Sequence, residues 1–225
     1  LCQMPDNSLL FNEYLLNSDW RKNHMGYSLL NIESDISMRC KELSGISFDR
    51  HGLSDSIKNY MDPFVLTEKS KLNLEKLKNP ECVCIVTGQQ PALFGGPLYN
   101  YYKSMTAIKV AQKMEILTGK PFVPLFWNAS NDHDVEESNR FYYLDKQFRF
   151  AKGSLAGLAS QPLDKIMIGS EVLNLKPALE NNISRADFLE DQWPKLLPDS
   201  KDTMGTWQTR ILNQLFGDKG LLILE

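Results

Sequence analysis

The sequence predicts an α/β fold built around a parallel sheet. Two short apolar runs, residues 82–86 and 122–127, have the length and the β-branched or aromatic composition of buried strands. A helical pattern at residues 98–117 separates them, and each run ends in a polar loop. Strand, loop, helix and strand in this order form a crossover unit. This unit indicates a Rossmann-like sheet with both polar loops at the carboxyl ends of its strands.

Residues 1–80 are predicted to form an N-terminal helical segment. Short helices are expected at residues 9–15, 32–43, 53–61 and 67–77, the first of them capped by Asp6, Asn7 or Ser8. Asn79-Pro80 ends the last helix, because proline cannot continue a helix interior. We expect the first strand to follow directly.

Residues 81–148 are predicted to be the first part of the core. The helix at 98–117 carries its small and apolar side chains on one broad face, as a crossover helix lying on a sheet does. Gly119 and Pro121 end it. Pro124, inside the second strand, lacks the N–H that a ladder needs and therefore predicts an edge strand or a bulge.

Residues 149–202 are predicted to be an inserted connecting segment, with irregular β structure over residues 139–172 and a helix at 184–196. The core resumes at residues 203–225. There, residues 204–216 carry an apolar stripe at helical spacing, and the apolar run 221–224 is the third strand. We expect the three strands to be parallel neighbours or near-neighbours, with both core helices packed on them.

Composition excludes several classes of protein. Of the 225 residues, 42% are hydrophobic and 24% are charged, and the net charge of −3 offers no basic excess for binding nucleic acid. No apolar run reaches the roughly 20 residues of a membrane span, and no signal-peptide pattern is present. The four cysteines are irregularly spaced. This spacing favours reduced thiols and a cytoplasmic location.

The ends of the sequence suggest a piece of a longer protein. The chain begins at Leu1 rather than Met and ends on the apolar run 221–224. A piece cut from a larger core leaves apolar side chains without neighbours. We therefore expect the helix face that carries Trp207 and Ile211 to be partly uncovered.

The first polar loop combines glycines with two adjacent glutamines. Its candidate binding residues are Gly88, Gln89, Gln90, Gly95, Gly96 and Pro97. Their spacing matches neither the G-x-G-x-x-G nor the Walker pattern. Glycines nevertheless let a ligand approach the backbone closely, and the N-terminus of the following helix offers free N–H groups to an anion. The alternative is a tight turn that binds nothing.

The second polar loop holds the densest ionisable cluster, Asp132-His133-Asp134, with Glu137 close behind it. The cluster fits a divalent metal site, general acid–base catalysis, or hydrogen bonds to substrate amines and hydroxyls. The alternative is a solvated helix cap. Histidine exchanges protons readily near neutral pH, so His133 is the best candidate for proton transfer.

The two loops are predicted to form one site. Both leave parallel strands at their carboxyl ends, and neighbouring strands lie about 4.8 Å apart. We therefore expect the side chains of Gln89, Gln90, Asp132 and His133 to meet in one crevice, beside the backbone of the double-glycine turn.

The two loops also resemble those of one known family, the bacillithiol biosynthesis cysteine-adding enzymes, or cysteine ligases. The resemblance is carried by two motifs, Thr87-Gly88-Gln89-Gln90-x-x-Leu93-x-x-Gly96-Pro97-Leu98-Tyr99 and Trp127-x-x-x-x-Asp132-His133-Asp134-x-x-Glu137. It is collinear over nearly all of the chain and closest over residues 86–144. It implies a Rossmann-like core related to nucleotidyltransferases, with inserted connecting segments. It also implies a coiled coil outside residues 1–225, which is a candidate contact for a homodimer.

The resemblance implies a ligase that forms an amide, a carbon–nitrogen bond, by joining cysteine to glucosaminyl malate in the last step to bacillithiol. Amide formation needs an activated acyl group, and a nucleotide such as ATP is the usual means, so ATP or ADP is the candidate cofactor. Asp132, His133 and Asp134 are then the candidate catalytic residues. Asn128 and Glu137 join the first loop as candidate substrate- or nucleotide-binding residues, and no metal ligand is assigned.

Two other classes of function remain open at this point. One is a metal-dependent hydrolase of a small amide or sugar, with Asp132, His133 and Asp134 as ligands. The other is a non-catalytic fragment that binds a nucleotide or metabolite. Bound zinc or manganese favours the first, and tight binding without turnover favours the second.

Overall fold

The N-terminal part of the chain is helical. The computed structural model describes residues 9–27, 31–158, 160–184 and 191–225. Within these residues, the helices before the first strand are α1 (Leu9–Leu16), α2 (Ser18–Met25), α3 (Ile32–Ser44), α4 (Arg50–Met61) and α5 (Glu68–Leu77). The caps predicted at residues 6–8 lie outside the described residues. In the part of the chain that is described, no helix is both long and apolar enough to cross a membrane.

Three parallel strands form the core sheet, namely β1 (Val83–Gln89), β2 (Phe122–Asn128) and β5 (Leu222–Leu224). Their order is β1-β2-β5, so β2 is central. The crossover helix α6 (Leu98–Thr118) contacts β1 and β2. The prediction of an α/β fold with a Rossmann-like parallel sheet is therefore confirmed.

The chain between β2 and β5 is longer and less regular. It contains α7 (Val135–Ser138), β3 (Phe141–Leu144), β4 (Phe150–Gly153), α8 (Gly169–Asn182), α9 (Trp193–Leu196) and α10 (Met204–Phe216). Strands β3 and β4 form an antiparallel hairpin, in keeping with the irregular β structure expected here. Of the helix predicted at 184–196, residues 185–190 lie outside the described residues, and residues 193–196 are helical as α9.

Pro124 lies in the central strand, so the prediction of an edge or a bulge is wrong. Alternate residues of β2 bond to β1, as the N–H of Ala129 does when it donates to the carbonyl of Gln89 at 3.1 Å. Pro124 therefore faces the β5 side of β2. Pairing with β5 begins only at Leu125, so the missing N–H interrupts no bond of the ladder.

Capping residues explain where helices α10 and α5 begin and where α6 ends. Thr203 and Thr206 form a reciprocal capping box at the start of α10, with N–H to hydroxyl distances of 3.2 and 2.9 Å. Thr67 caps α5 by accepting the N–H of Ser70 at 3.2 Å. Helix α6 ends, as predicted, at Gly119 with φ of 69°.

Residues 163–168 cover one face of helix α10. Trp207 and Ile211 are fully buried, both at 0% exposure. They pack against Leu163, Ile166 and Ile168, which precede α8. The expectation that this face is partly uncovered is therefore wrong, because the residues before α8 supply the apolar neighbours.

The first testable prediction concerns the buried central strand. Phe126→Ala removes a side chain that is 0% exposed in β2 and should lower the free energy of unfolding by about 3–5 kcal/mol, because a cavity remains. Phe150→Ala removes the same atoms from a side chain that is 85% exposed. This control should change the free energy of unfolding by less than about 0.5 kcal/mol. Denaturant unfolding measures both, and equal effects would contradict the assigned core.

Candidate functional site

A cavity of about 740 Å³ opens at the carboxyl end of β1. Its walls come from the loop between β1 and α6, from α7, from the β3–β4 hairpin, and from α8 and α9. Most of the lining is apolar and includes the aromatic side chains of Phe94, Tyr99, Phe141, Tyr143, Phe150 and Trp193. Its position beyond the end of a parallel strand is where open α/β sheets bind their ligands.

The backbone of the first loop is held in an unusual shape. Three consecutive residues have positive φ, with values of 54° at Phe94, 79° at Gly95 and 80° at Gly96. Glycine adopts this conformation readily, whereas a residue such as Phe94 does so at a cost of about 1–3 kcal/mol. The Tyr101 hydroxyl donates to the carbonyl of Phe94 at 2.7 Å, and Asn100 Nδ2 donates to the carbonyl of Gly95 at 3.0 Å. Helix α6 therefore stabilises the strained loop.

Aromatic contacts join the same loop to the hairpin and to α10. The ring of Phe94 makes edge-on contacts with Phe141, at a centroid distance of 4.8 Å, and with Trp207, at 5.1 Å. Such pairs stabilise a structure by about 0.5–1.5 kcal/mol beyond the burial of their surface. The wall of the cavity is thus fixed by contacts within the protein.

The side-chain amide of Gln208 links the loop to the sheet. Gln208 is 0% exposed, and its Oε1 accepts the N–H of Ala92 at 3.1 Å. Its Nε2 donates to Asn128 Oδ1 at 3.1 Å and to the carbonyl of Gln90 at 3.4 Å. One buried amide therefore connects α10, the end of β2 and the glutamine loop.

Asn128, a predicted binding residue, is part of the same network. Its Nδ2 donates to the carbonyl of Gly205 at 2.9 Å and to Thr209 Oγ1 at 3.0 Å. Both the nitrogen and the oxygen of this side-chain amide are therefore hydrogen-bonded to protein groups. The Tyr60 hydroxyl lies 2.6 Å from Thr209 Oγ1. Burial, followed by the nearby Glu225 carboxylate, raises the pKa of Tyr60 well above the ordinary value for a phenol. This hydroxyl therefore stays protonated.

The second loop has the hydrogen bonds of a helix cap. Asp132 Oδ1 accepts the backbone N–H groups of His133 at 2.7 Å and Asp134 at 3.2 Å. Asp134 Oδ1 accepts the N–H of Glu137 at 3.0 Å and so caps α7. His133 and Asp134 are exposed. The two aspartates therefore stabilise the local turn, whatever further role they have.

The structure brings part of the predicted site together. Five of the predicted residues line the cavity: Gln89, Gln90, Gly96, Pro97 and Glu137. Six are not in its lining: Gly88, Gly95, Asn128, Asp132, His133 and Asp134. The second loop reaches the cavity through Glu137, which follows Asp134 by three residues on α7.

Several groups on the cavity wall are hydrogen-bond donors. Gln90 Nε2 and Trp193 Nε1 are buried and have no acceptor among the described residues. Arg140 also lines the cavity, and the contact of its guanidinium with the carboxylate of Glu136 is long, at 3.8 Å. Glu137 is the carboxylate on this wall. The arrangement suits a ligand that carries hydrogen-bond acceptors and apolar or flat groups.

Across the described ranges, no three His, Cys, Asp or Glu side chains come together in a way that could hold a metal ion. The free cysteines Cys40, Cys82 and Cys84 are buried or half-buried. Desolvation raises the pKa of the Cys82 thiol to about 12. These three cysteines therefore pack in or against the apolar core.

Sequence reasoning missed Gln208, Arg140 and the aromatic wall. A signal for Gln208 was available, because it follows Met204 by four residues and Trp207 by one, on the buried side of α10. A polar side chain on an apolar stripe is rare and needs partners. Its partners lie 80 and 116 positions away in the chain, so no local pattern identifies them.

The Gln208 network makes the second prediction. Gln208→Leu leaves the N–H of Ala92 and the Oδ1 of Asn128 buried without partners, so the free energy of unfolding should fall by about 2–4 kcal/mol. Gln214→Leu is the matched control, because Gln214 is exposed on the same helix. This substitution should change the free energy of unfolding by less than about 0.5 kcal/mol. Urea titration compares the two, and a neutral Gln208→Leu would contradict the role of the network.

Comparison with known proteins identifies relatives along the whole chain. The family described as "Bacillithiol biosynthesis BshC, N-terminal Rossmann-like domain" matches residues 2–225. A protein of Geobacillus kaustophilus, named "Putative cysteine ligase BshC", is 35% identical over 230 residues, which is 99% of this chain and 42% of that protein.

Proteins of the same name from other bacteria are similar at lower identity. The one from Prosthecochloris aestuarii is 30% identical over 86% of this chain and 35% of its own length. The one from Chlorobaculum tepidum is 30% identical over 81% of this chain and 33% of its own length. This chain thus spans less than half the length of these relatives. It belongs to the BshC family of bacillithiol biosynthesis and matches that family's N-terminal Rossmann-like domain.

Proposed function

We propose that this chain belongs to a cysteine ligase that joins cysteine to glucosaminyl malate and so completes bacillithiol. The observation that carries the proposal is the position of the first loop. Gln89, Gln90, Gly96 and Pro97, which belong to the motif that carries the resemblance, line a cavity at the carboxyl end of β1. A biosynthetic role of this kind agrees with the expectation of a cytoplasmic protein.

The reaction makes an amide from a carboxylate and an amine. The candidate cofactor is ATP or ADP; bound ATP would supply the activation of the carboxyl group, and ADP would be its product. The cavity has features that fit such a group: aromatic side chains that can contact a base, and the donors of Gln90, Trp193 and Arg140 for anionic oxygens. The apolar lining also limits the access of water, which would hydrolyse an activated acyl group.

Within this proposal the two loops have different tasks. Gln89, Gln90 and the turn at Gly96 bind and orient the acceptor-rich groups of the ligand. Glu137 is the carboxylate on the cavity wall and is suited to bind the ammonium group of cysteine. His133 remains the candidate for proton transfer, with Asp132 and Asp134 holding its loop in place.

The third prediction tests this proposal. The protein encoded by the full reading frame that contains this chain should form bacillithiol from cysteine, glucosaminyl malate and ATP, detected by mass spectrometry. Gln90→Ala and His133→Ala should each lower kcat/KM about 30-fold, equivalent to about 2 kcal/mol of transition-state stabilisation, with a nearly unchanged Tm.

Matched substitutions at exposed positions serve as controls. Gln112→Ala on α6 and His51→Ala on α4 replace the same residue types away from the cavity and should leave kcat/KM unchanged. If Gln90→Ala is as active as its control, the cavity is not the active site. If His133→Ala alone is fully active, the Asp132–Asp134 loop is a helix cap and nothing more.

A further inference from the structure

Lys103 occupies an unusual position behind the cavity wall. Its Nζ donates to Gln89 Oε1 at 2.9 Å and to the carbonyl of Gly88 at 3.3 Å. The same ammonium lies 4.8 Å from the ring centroid of Tyr99, one helical turn earlier on α6. Among the described residues, no carboxylate lies within ion-pair distance of Lys103.

This contact fixes the direction of the Gln89 side chain. An ammonium group has three donors and no acceptor, so only the amide oxygen of Gln89 can face it. The NH2 of Gln89 must then point away from Lys103. Gln89 and Tyr99 both line the cavity, whereas Lys103 does not. Lys103 therefore acts on the cavity through Gln89.

The neighbouring residue adds a second amide with a free donor. Gln90 Nε2 is buried without an acceptor among the described residues, and the backbone carbonyl of Gln90 is held by Gln208 at 3.4 Å. A buried donor without a partner is unfavourable, and a ligand oxygen would satisfy it. The nearby positive charge of Lys103 polarises the Gln89 amide and strengthens its N–H donors.

We propose that Lys103 is a positioning residue that orients the Gln89 amide to bind, together with Gln90, a carboxylate of the substrate. The ligand class follows from two amide donors that are consecutive in the chain and line one cavity, the first of them supported by a cation. Two such donors match the two oxygens of a carboxylate. The proposal rests on the proposed function, because both cysteine and glucosaminyl malate carry such a group. Binding experiments with each partner of the reaction distinguish the two sources.

The fourth prediction uses L-malate and L-cysteine as separate probes, titrated into the full-length protein and followed by calorimetry. Lys103→Met should weaken the binding of one of them at least about tenfold, as expected for loss of a hydrogen bond to a charged group. Lys103→Arg keeps a cation and should stay within about threefold. Lys109→Met, an exposed lysine on the same helix, should bind like the unmodified protein.

Gln89→Glu separates positioning from a purely structural role. The new carboxylate keeps the contact with Lys103, so the melting temperature should not fall, but it presents oxygen atoms where the NH2 stood. Binding of the same probe should therefore be lost. Three results would each overturn the proposal. The first is unchanged binding in Gln89→Glu, and the second is equal binding in Lys103→Met and Lys109→Met. The third is a preference for inorganic phosphate over both probes.

Catalytic assays keep this inference distinct from the proposed ligase activity. In an active ligase, Lys103→Met should raise KM for the substrate whose carboxylate is bound, with a smaller change in kcat. If the unmodified protein binds L-malate through Gln89 but makes no bacillithiol, the proposed function fails and the carboxylate subsite stands. If the unmodified protein makes bacillithiol but Lys103→Met has the same KM as Lys109→Met, the carboxylate subsite is wrong and the proposed ligase activity is retained.

Discussion

The hydrogen bonds of one buried amide, that of Gln208, hold the cavity loop in position on the sheet. This side chain donates to Asn128 at the end of β2 and to Gln90 in the loop, and it accepts from Ala92. Because it is fully buried, none of these groups can turn to water instead. The position of the loop relative to the sheet therefore depends on a residue that does not line the cavity.

The loop itself is preorganised at a cost in backbone strain. Phe94 has a positive φ that a non-glycine residue adopts only when its surroundings require it. Its ring packs against the hairpin through Phe141 and against α10 through Trp207, and its carbonyl accepts from Tyr101. Binding sites commonly contain strained backbone that surrounding contacts hold in place. Because such a loop is already ordered, ligand binding does not have to supply the free energy of ordering it.

The two polar loops, which have similar compositions of turn and polar residues, differ in what their side chains do. In the first loop, glutamine side chains reach the cavity, and Lys103 fixes the direction of one of them. In the second loop, the aspartate carboxylates bond to backbone N–H groups and start α7. That helix carries Glu137 to the cavity wall. An acidic cluster in sequence thus delivers a single carboxylate to the site.

The sequence by itself determined the parallel sheet, its crossover helix, the cap at Gly119 and the candidate loop, because strand length, helical period and turn chemistry are local properties. It did not predict that Pro124 lies in a central strand, since the side on which β5 pairs depends on distant residues. It also did not predict which side chains share the cavity. Only the tertiary structure decided that Asn128 bonds inward to Gln208, 80 residues away, and that Glu137 lines the wall while His133 stays outside it. A side chain's direction depends on the partners that satisfy its hydrogen bonds, and those partners come together only when the chain has folded.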